Sequence, residues 1–179
     1  MNHQTFSLQP FLTDDSLPHL KITGNISHHS NHLDINYQLT GDLEEVVIPT
    51  PVDTPTRQHK LWENTCFEFF IGVKNSQHYW EFNLSPAGHW NIYRFDNYRQ
   101  GMQEETAFAE LPFSVQHQSD SLLLSLKFNL AKIILENQAI DVAITTVIKQ
   151  QNGYVTYWAL AHTGAEADFH LRESFVIEL

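Results

Sequence analysis

Apolar and polar residues alternate along most of the chain. The period of two is clearest over residues 20–26, 33–39, 122–128 and 140–144, and each of these segments carries one apolar face. Half-buried β-strands show this pattern, because successive side chains point to opposite faces of a sheet. Many short strands separated by turn signals predict an all-β protein, a β-sandwich or a jelly roll.

Two segments add detail to this prediction. Residues 130–136 have the only helical pattern, with Asn129 as a suitable N-cap, so we expect one short helix. The dipeptide Asn152-Gly153 lies between two apolar segments and predicts a hairpin with a type I′ turn.

Two consecutive hairpins in the middle of the chain predict a polar sheet face. With Asn75 and Ser76 at the first tip, the apolar pairs are Phe67–Leu84, Phe69–Phe82 and Ile71–Trp80, and the opposite side pairs Glu68 with Asn83 and Phe70 with Glu81. A slip by one residue would mix the two sets, so the pattern itself favours this register.

The second hairpin extends the polar face if its turn is centred between Ala87 and Gly88. That register pairs Glu81 with Arg94 and Ser85 with Trp90. The shared face then carries fixed donors and acceptors beside an aromatic ring, as polar ligand sites do: Glu68, Glu81, Asn83, Ser85, Trp90 and Arg94. The alternative is a solvent-facing sheet surface, on which a Glu–Arg cross-strand pair contributes about 0.2–1 kcal/mol.

The segment 157–170 leaves a strand and enters a loop that contains His162, Asp168 and His170. This loop either closes over one end of the polar face and contacts a ligand, or is a connector whose Phe169 packs on the core.

Composition limits the partners. The 179 residues fit one domain spanning the whole chain, residues 1–179. The formal net charge of −11 disfavours nucleic acid and anionic membrane surfaces. The sequence shows neither a signal-peptide pattern at its start nor an apolar run long enough to cross a bilayer, so we expect a cytoplasmic protein.

Other reactive residues give weaker signals. His28, His29 and His32 lie in a loop between strands, where histidines are usually solvated, so no metal site is predicted. Cys66, the only cysteine, is interpreted as a buried small side chain. Glu68 and Glu81 resemble an acid–base pair for glycoside cleavage, but Arg94 beside Glu81 would keep that carboxyl ionised. No catalytic residue is assigned, and an enzyme remains an alternative.

Several motifs resemble a known group. The stretches at 61–70 (LWENTCFEFF), 79–95, 98–102 and 157–170 (YWALAHTGAEADFH) resemble the DOMON-like proteins of bacteria, which are similar to family-nine carbohydrate-binding modules. The resemblance covers about residues 62–179. It implies a single sandwich of immunoglobulin-like or jelly-roll type with a ligand-binding role.

The resemblance also implies a kind of ligand. Sugar-binding relatives hold a saccharide between tryptophan faces, with amide, acid and arginine groups on its hydroxyls. The matching types here are Trp90, Glu68, Glu81, Asn83 and Arg94, and either Trp62 or Trp158 would be the second tryptophan.

Haem-binding relatives use methionine and histidine, and this chain offers only Met1 and Met102, so no cofactor is predicted. The prediction is a protein that binds a small polar ligand, in the first place a saccharide. An enzyme acting on such a ligand through Glu and His, a haem-binding module and a structural interaction module remain alternatives. The oligomeric state is left open.

Overall fold

Two antiparallel β-sheets pack face to face in the computed structural model, which describes residues 2–13, 17–135 and 138–179. The strands are β1 (Asn2–Ser7), β2 (Gln9–Pro10), β3 (Leu20–His29), β4 (His32–Gly41), β5 (Cys66–Val73), β6 (Tyr79–Leu84), β7 (Trp90–Phe95), β8 (Gln103–Glu104), β9 (Phe113–His117), β10 (Ser121–Asn129), β11 (Ile140–Lys149), β12 (Val155–Ala159) and β13 (Ile177–Glu178). The smaller sheet has the order β1-β3-β4-β10-β9. The larger has the order β2-β12-β11-β5-β6-β7-β8, with β13 paired to β11. The predicted all-β sandwich is confirmed.

The main core lies between the two sheets. It is built from alternate residues of facing strands, such as Ile35 and Leu39 of β4 and Phe67, Phe69 and Ile71 of β5. All five are fully buried. The alternation seen in the sequence therefore places these side chains inward, as a half-buried sheet requires.

The outer face of the larger sheet carries a second apolar cluster. Its members come from neighbouring strands and from the C-terminal segment that crosses them: Phe70, Tyr79, Tyr93, Phe95, Ala143, Val147, Ala159, Phe169 and Phe175. Because this segment covers the sheet, β5 is buried on both faces over most of its length.

The expected helix is a single 3-10 turn at Leu130–Lys132. Asn129 caps it as predicted, since its side-chain oxygen accepts a hydrogen bond from the Ala131 amide at 2.8 Å. Residues 136 and 137, the end of the predicted helix and its neighbour, lie outside the described residues. Among the residues that are described, no helix is long and apolar enough to cross a membrane.

The register between β5 and β6 is confirmed, with Phe67 opposite Leu84 and Glu68 opposite Asn83. The register predicted between β6 and β7 is wrong by one residue, because Glu81 lies opposite Tyr93 and Leu84 opposite Trp90. The loop has three residues, 86–88, closed by a hydrogen bond from the Ser85 amide to the His89 carbonyl (2.9 Å). Gly88 ends this loop at φ +98°, a left-handed conformation typical of such hairpins.

The Asn152-Gly153 hairpin joins β11 and β12 as predicted, but its turn is not of type I′. The Gln150 amide bonds the Tyr154 carbonyl at 2.8 Å, which again leaves a loop of three residues. Gly153 alone in this loop has a positive φ, at +87°. A type I′ turn would require positive φ at two successive positions.

Candidate functional site

A cavity of about 430 Å³ opens on the outer face of the larger sheet. Its floor comes from β5, β6, β7 and β11. Its walls come from the 3-10 turn at Leu61–Glu63, from the loop after β7, from β12 and from the C-terminal segment. The lining residues are Trp62, Glu68, Phe70, Glu81, Phe95, Arg99, Met102, Val147, Tyr157, Ala167, Phe169 and His170. The cavity is of the size and mixed polarity of small-molecule sites.

Glu68 forms part of the floor, and only 2% of its surface is exposed. Its Oε1 atom has no hydrogen-bond partner among the described residues. Burial, and then the charge of Glu81, raises the pKa of the Glu68 carboxyl well above its usual range. A buried acceptor without a donor is costly in a folded protein, so this atom calls for an explanation.

The backbone of Glu68 is held from the other sheet. Its carbonyl oxygen accepts a hydrogen bond from the hydroxyl of Tyr37, on β4, at 2.8 Å. Tyr37 is itself buried in the core between the sheets. The strand that carries the Glu68 carboxyl is therefore fixed from below.

Glu81 lies diagonally across from Glu68 on the neighbouring strand and is 5% exposed. The side-chain amide of Asn83 donates a hydrogen bond from Nδ2 to the Glu81 Oε1 at 2.9 Å. Burial raises the pKa of Glu81 to about 7, although the Asn83 hydrogen bond and the charge of Arg99 oppose the shift. Both the protonated and the ionised form of Glu81 are therefore accessible near neutral pH.

His170 closes the cavity beside Glu81, with 3.8 Å between its Nε2 and the Glu81 Oε2. Its Nδ1 lies 2.9 Å from the hydroxyl of Tyr79, which also accepts a hydrogen bond from the Arg99 amide at 3.1 Å. With the Tyr79 hydroxyl as the donor to Nδ1, the neutral imidazole carries its proton on Nε2, facing Glu81. Burial, and then the charge of Arg99, lowers the pKa of His170 to about 4, so the ring is neutral at pH 7.

Asp168 joins two walls of the cavity. Its carboxylate accepts hydrogen bonds from the Tyr98 hydroxyl, from Arg99 Nη2 at 2.9 Å and from the His170 amide at 2.9 Å. Burial opposes its ionisation, but these hydrogen bonds prevail and hold the pKa of Asp168 below its usual value. Arg99 thus has a charged partner, and its backbone is left-handed at φ +51°.

The structure brings together part of the predicted set. Glu68, Glu81, Trp62 and His170 line the cavity. Asn83 is completely buried behind it and orients Glu81, while Asp168 acts through Arg99 and His170.

The other predicted residues lie elsewhere. Trp90 is in the core between the sheets, 4% exposed, with the Arg57 guanidinium carbon 4.3 Å from its ring centre. Arg94 is exposed and donates to Gln103 Oε1 at 2.7 Å. Both placements follow from the shifted register of β7, and the predicted Glu81–Arg94 pair is not formed. The sequence-based objection that Arg94 keeps Glu81 ionised is therefore wrong.

Three further residues are also outside the cavity lining. Trp158 is in the main core and donates to Thr156 Oγ1 at 3.0 Å. His162 Nε2 lies 2.9 Å from the Gln9 carbonyl. Ser85 stabilises its own turn, where its hydroxyl accepts from the Ala87 amide at 3.2 Å.

Sequence analysis missed several residues of the site. Tyr79 and Arg99 orient His170, and Tyr157 and Phe169 form walls. A three-residue loop ending at Gly88 would have placed Tyr93 opposite Glu81, and so indicated an aromatic cluster on this face. The residues 2–13, 17–135 and 138–179 contain no group of three or more His, Cys, Asp or Glu side chains arranged to hold a metal ion. His28 and His29 end β3 and His32 begins β4, so the sequence-based placement of these histidines in a loop is wrong.

Comparison with known proteins finds similarity in structure only. No family model matches the sequence, and no curated protein matches it significantly.

The structural matches are at low sequence identity. One is a crystal structure of a candidate carbohydrate-binding protein from Bacteroides uniformis ATCC 8492, with a TM-score of 0.64 and 12% identity, covering 94% of this chain and 84% of the other. Another is a family-nine carbohydrate-binding module from Caldicellulosiruptor kristjanssonii in complex with cellotriose, with a TM-score of 0.52 and 9% identity, covering 88% and 72%. The chain therefore shares its fold with the Bacteroides protein and with this family-nine module.

Proposed function

We propose that the cavity binds a small saccharide. The observation that carries this proposal is the Glu68 carboxyl, which is almost fully buried in the cavity and whose Oε1 has no donor among the described residues. A bound hydroxyl group would supply that donor and offset the cost of the unpaired acceptor.

The polar groups of the cavity can both accept hydrogen bonds from the hydroxyl groups of a ligand and donate hydrogen bonds to them. Carboxyl groups accept hydrogen bonds when ionised and also donate one when protonated. The raised pKa values of Glu68 and Glu81 make the protonated form available near neutrality. His170 adds an N–H donor at Nε2, beside Glu81.

The walls offer aromatic surface for the carbon face of a sugar ring. Trp62 lines the cavity, with its ring edge-on to Tyr93 at 5.7 Å between centres. Tyr157 and Phe169, which contact each other edge-on at 5.9 Å, form another wall. Aromatic walls around a few fixed polar groups are typical of small-molecule sites. The fold shared with a module bound to cellotriose supports the same ligand class.

Isothermal titration calorimetry with a panel of mono- and oligosaccharides tests the proposal, together with thermal unfolding. A ligand at about 100 times its Kd should stabilise the protein by about 2.7 kcal/mol. We expect Glu68→Gln and Trp62→Ala to weaken binding at least about tenfold, a loss of about 1.4 kcal/mol. The matched controls, Glu110→Gln and Tyr154→Ala at exposed positions outside the cavity lining, should bind as the native protein does. Absence of binding to every sugar, or equal losses in the controls, would contradict the proposal.

A second candidate is acid–base catalysis on a similar ligand. The observation that favours it is Glu81, whose pKa of about 7 lies near the operating range of a general acid, with Glu68 in the same cavity. Chromatography of an oligosaccharide incubated with the protein distinguishes the two, because a binding protein returns the ligand unchanged.

The haem-binding alternative has its own readout. Met102 and His170 both line this cavity, so an absorbance titration with haem belongs to the same panel. A Soret shift that disappears in Met102→Leu, with no response to sugars, would replace the saccharide proposal.

A further inference from the structure

We propose that the saccharide carries a free amino group, bound as an ammonium ion between the Glu68 and Glu81 carboxyls. This inference rests on the proposed function and names the class of sugar. It is carried by the charges, the free acceptors and the rings that line the cavity.

The two carboxyls have no counter-ion of their own. Among the described residues that line the cavity, the only Lys or Arg is Arg99, and its guanidinium is paired with Asp168 at 2.9 Å. His170 is held neutral by its surroundings and presents an N–H to Glu81 at 3.8 Å, beyond hydrogen-bond distance. With Arg99 and Asp168 balancing each other, the cavity is acidic when the two carboxyls ionise.

The acceptors also match an ammonium. Glu68 Oε1 has no donor among the described residues, and Glu81 Oε2 has His170 Nε2 only at 3.8 Å. An ammonium has three N–H donors and no acceptor. A hydroxyl has a single proton to donate, so one hydroxyl cannot serve both carboxylates.

Aromatic rings surround the same space. Trp62, Phe70, Phe95, Tyr157 and Phe169 line the cavity with the two acids. Such rings attract a cation through their π faces, most strongly where water is excluded. The net charge of −11 also raises the local concentration of cations.

The test is calorimetry at about pH 7, in which each amino sugar is compared with its own parent sugar and its N-acetyl derivative. Glucosamine, galactosamine and mannosamine are the probes, so that a mismatch in ring configuration does not hide the effect. We expect at least one amino sugar to bind about tenfold or more tightly than its parent and its N-acetyl form. Titration in buffers of differing ionisation enthalpy should show proton release with the amino sugar and none with the parent, because the ammonium favours the ionised carboxyls.

Glu68→Gln supplies the matched variant. In this variant we expect the amino sugar and its parent sugar to bind with affinities within about threefold of each other. Glu110→Gln should keep the full preference for the amino sugar. Circular dichroism and thermal unfolding establish that both variants are folded. A preference that survives in folded Glu68→Gln would overturn the assignment to this carboxyl.

The outcomes separate the two proposals. If parent and amino sugars bind equally, the inference fails and the saccharide function stands. If cyclohexylamine binds as tightly as the amino sugars, the hydroxyls contribute nothing and both proposals fail. If no probe binds, both fail as well.

Discussion

At the scale of single residues, Glu68 and Glu81 have the largest consequences. Each is a carboxyl that the fold has removed from water, with 2% and 5% of its surface exposed. Removing charge from water disfavours ionisation, so their pKa values rise. A protein selected only for stability would replace such groups by apolar ones, so their position in a cavity supports the proposed binding role.

The sign of the pH dependence follows from Glu81. Its pKa of about 7 in the folded chain exceeds the ordinary value of 4.5, so its contribution to stability is complete below about pH 4.5 and is lost as the pH rises through 7. His170 acts in the opposite direction, because its lowered pKa of about 4 costs stability as the pH falls below 6.5. Between pH 6.5 and about pH 7.5 the histidine offsets part of the carboxyl effect, and above that range only the carboxyl effect of this pair remains.

We therefore predict that the free energy of unfolding falls between about pH 6.5 and pH 8. Glu81 contributes a loss on the order of 1 kcal/mol, His170 offsets up to about half of it, and Glu68 adds in the same direction as Glu81. Urea unfolding across this range measures it. Glu81→Gln should flatten the profile, and Glu110→Gln should leave it as in the native protein. A native profile that rises over this range would contradict the pKa assigned to Glu81.

At the scale of elements, the loops decide which side chains share a face. The alternation of β5 and β6 predicted their register correctly, because every pair of one face is apolar. For β7 the pattern is ambiguous, since Trp90, Ile92 and Arg94 fit either side. The register there depends on the length of the loop, and a shift by one residue moves every side chain to the other face.

Gly88 ends the three-residue loop between β6 and β7, and Gly153 ends a loop of the same length between β11 and β12. Both have positive φ, at +98° and +87°. A Cβ at Gly88 would also lie 3.1 Å from Pro55 Cγ, whereas at Gly153 nothing lies within 4 Å. We expect backbone strain to make Gly153→Ala cost about 1 kcal/mol, and the added contact with Pro55 to raise the cost of Gly88→Ala to about 1–2 kcal/mol. Urea unfolding of the two variants measures the difference, and a larger loss at Gly153 would contradict the role of Pro55.

Asp168 links the C-terminal segment to the loop after β7 through hydrogen bonds with Tyr98 and Arg99. We predict that Asp168→Asn lowers stability by about 1–2 kcal/mol, because the hydrogen bonds to Tyr98 and Arg99 lose their charged acceptor. Hydrogen exchange should accelerate at the Arg99 amide, which bonds Tyr79 in the native chain. Asp53→Asn, at an exposed position, is the control and should change neither.

At the scale of the whole molecule, the sequence predicted the sandwich better than the site. Alternation specifies a two-faced sheet, but it does not show that a distant segment covers the outer face. Phe70 on the polar face of β5 was the available signal, because an aromatic residue there requires a cover. Trp90 and Trp158 resembled platforms for a ligand, yet both fill the core, and composition alone does not distinguish these uses.

The covering segment should be necessary for the outer cluster. Phe169 contacts Phe70 and Tyr157 edge-on, with 6.5 and 5.9 Å between ring centres. We predict that Phe169→Ala lowers the free energy of unfolding by about 3 kcal/mol, since a large ring is removed from a packed cluster. Val176→Ala, at a half-exposed position of the same segment, should cost less than about 0.5 kcal/mol. Thermal or urea unfolding measures both, and similar losses would contradict a specific role for Phe169.

The Tyr37 side chain bridges the two sheets, because it extends from β4 through the core and its hydroxyl donates to the Glu68 carbonyl on β5. This hydrogen bond fixes β5, which carries Glu68, to β4, which does not line the cavity. Selection for altered affinity in a library of random variants would therefore recover changes around β4, on the far side of the molecule, as well as changes in the cavity. Under the proposed function, the specificity of the cavity depends on both sheets, although only the larger sheet lines it.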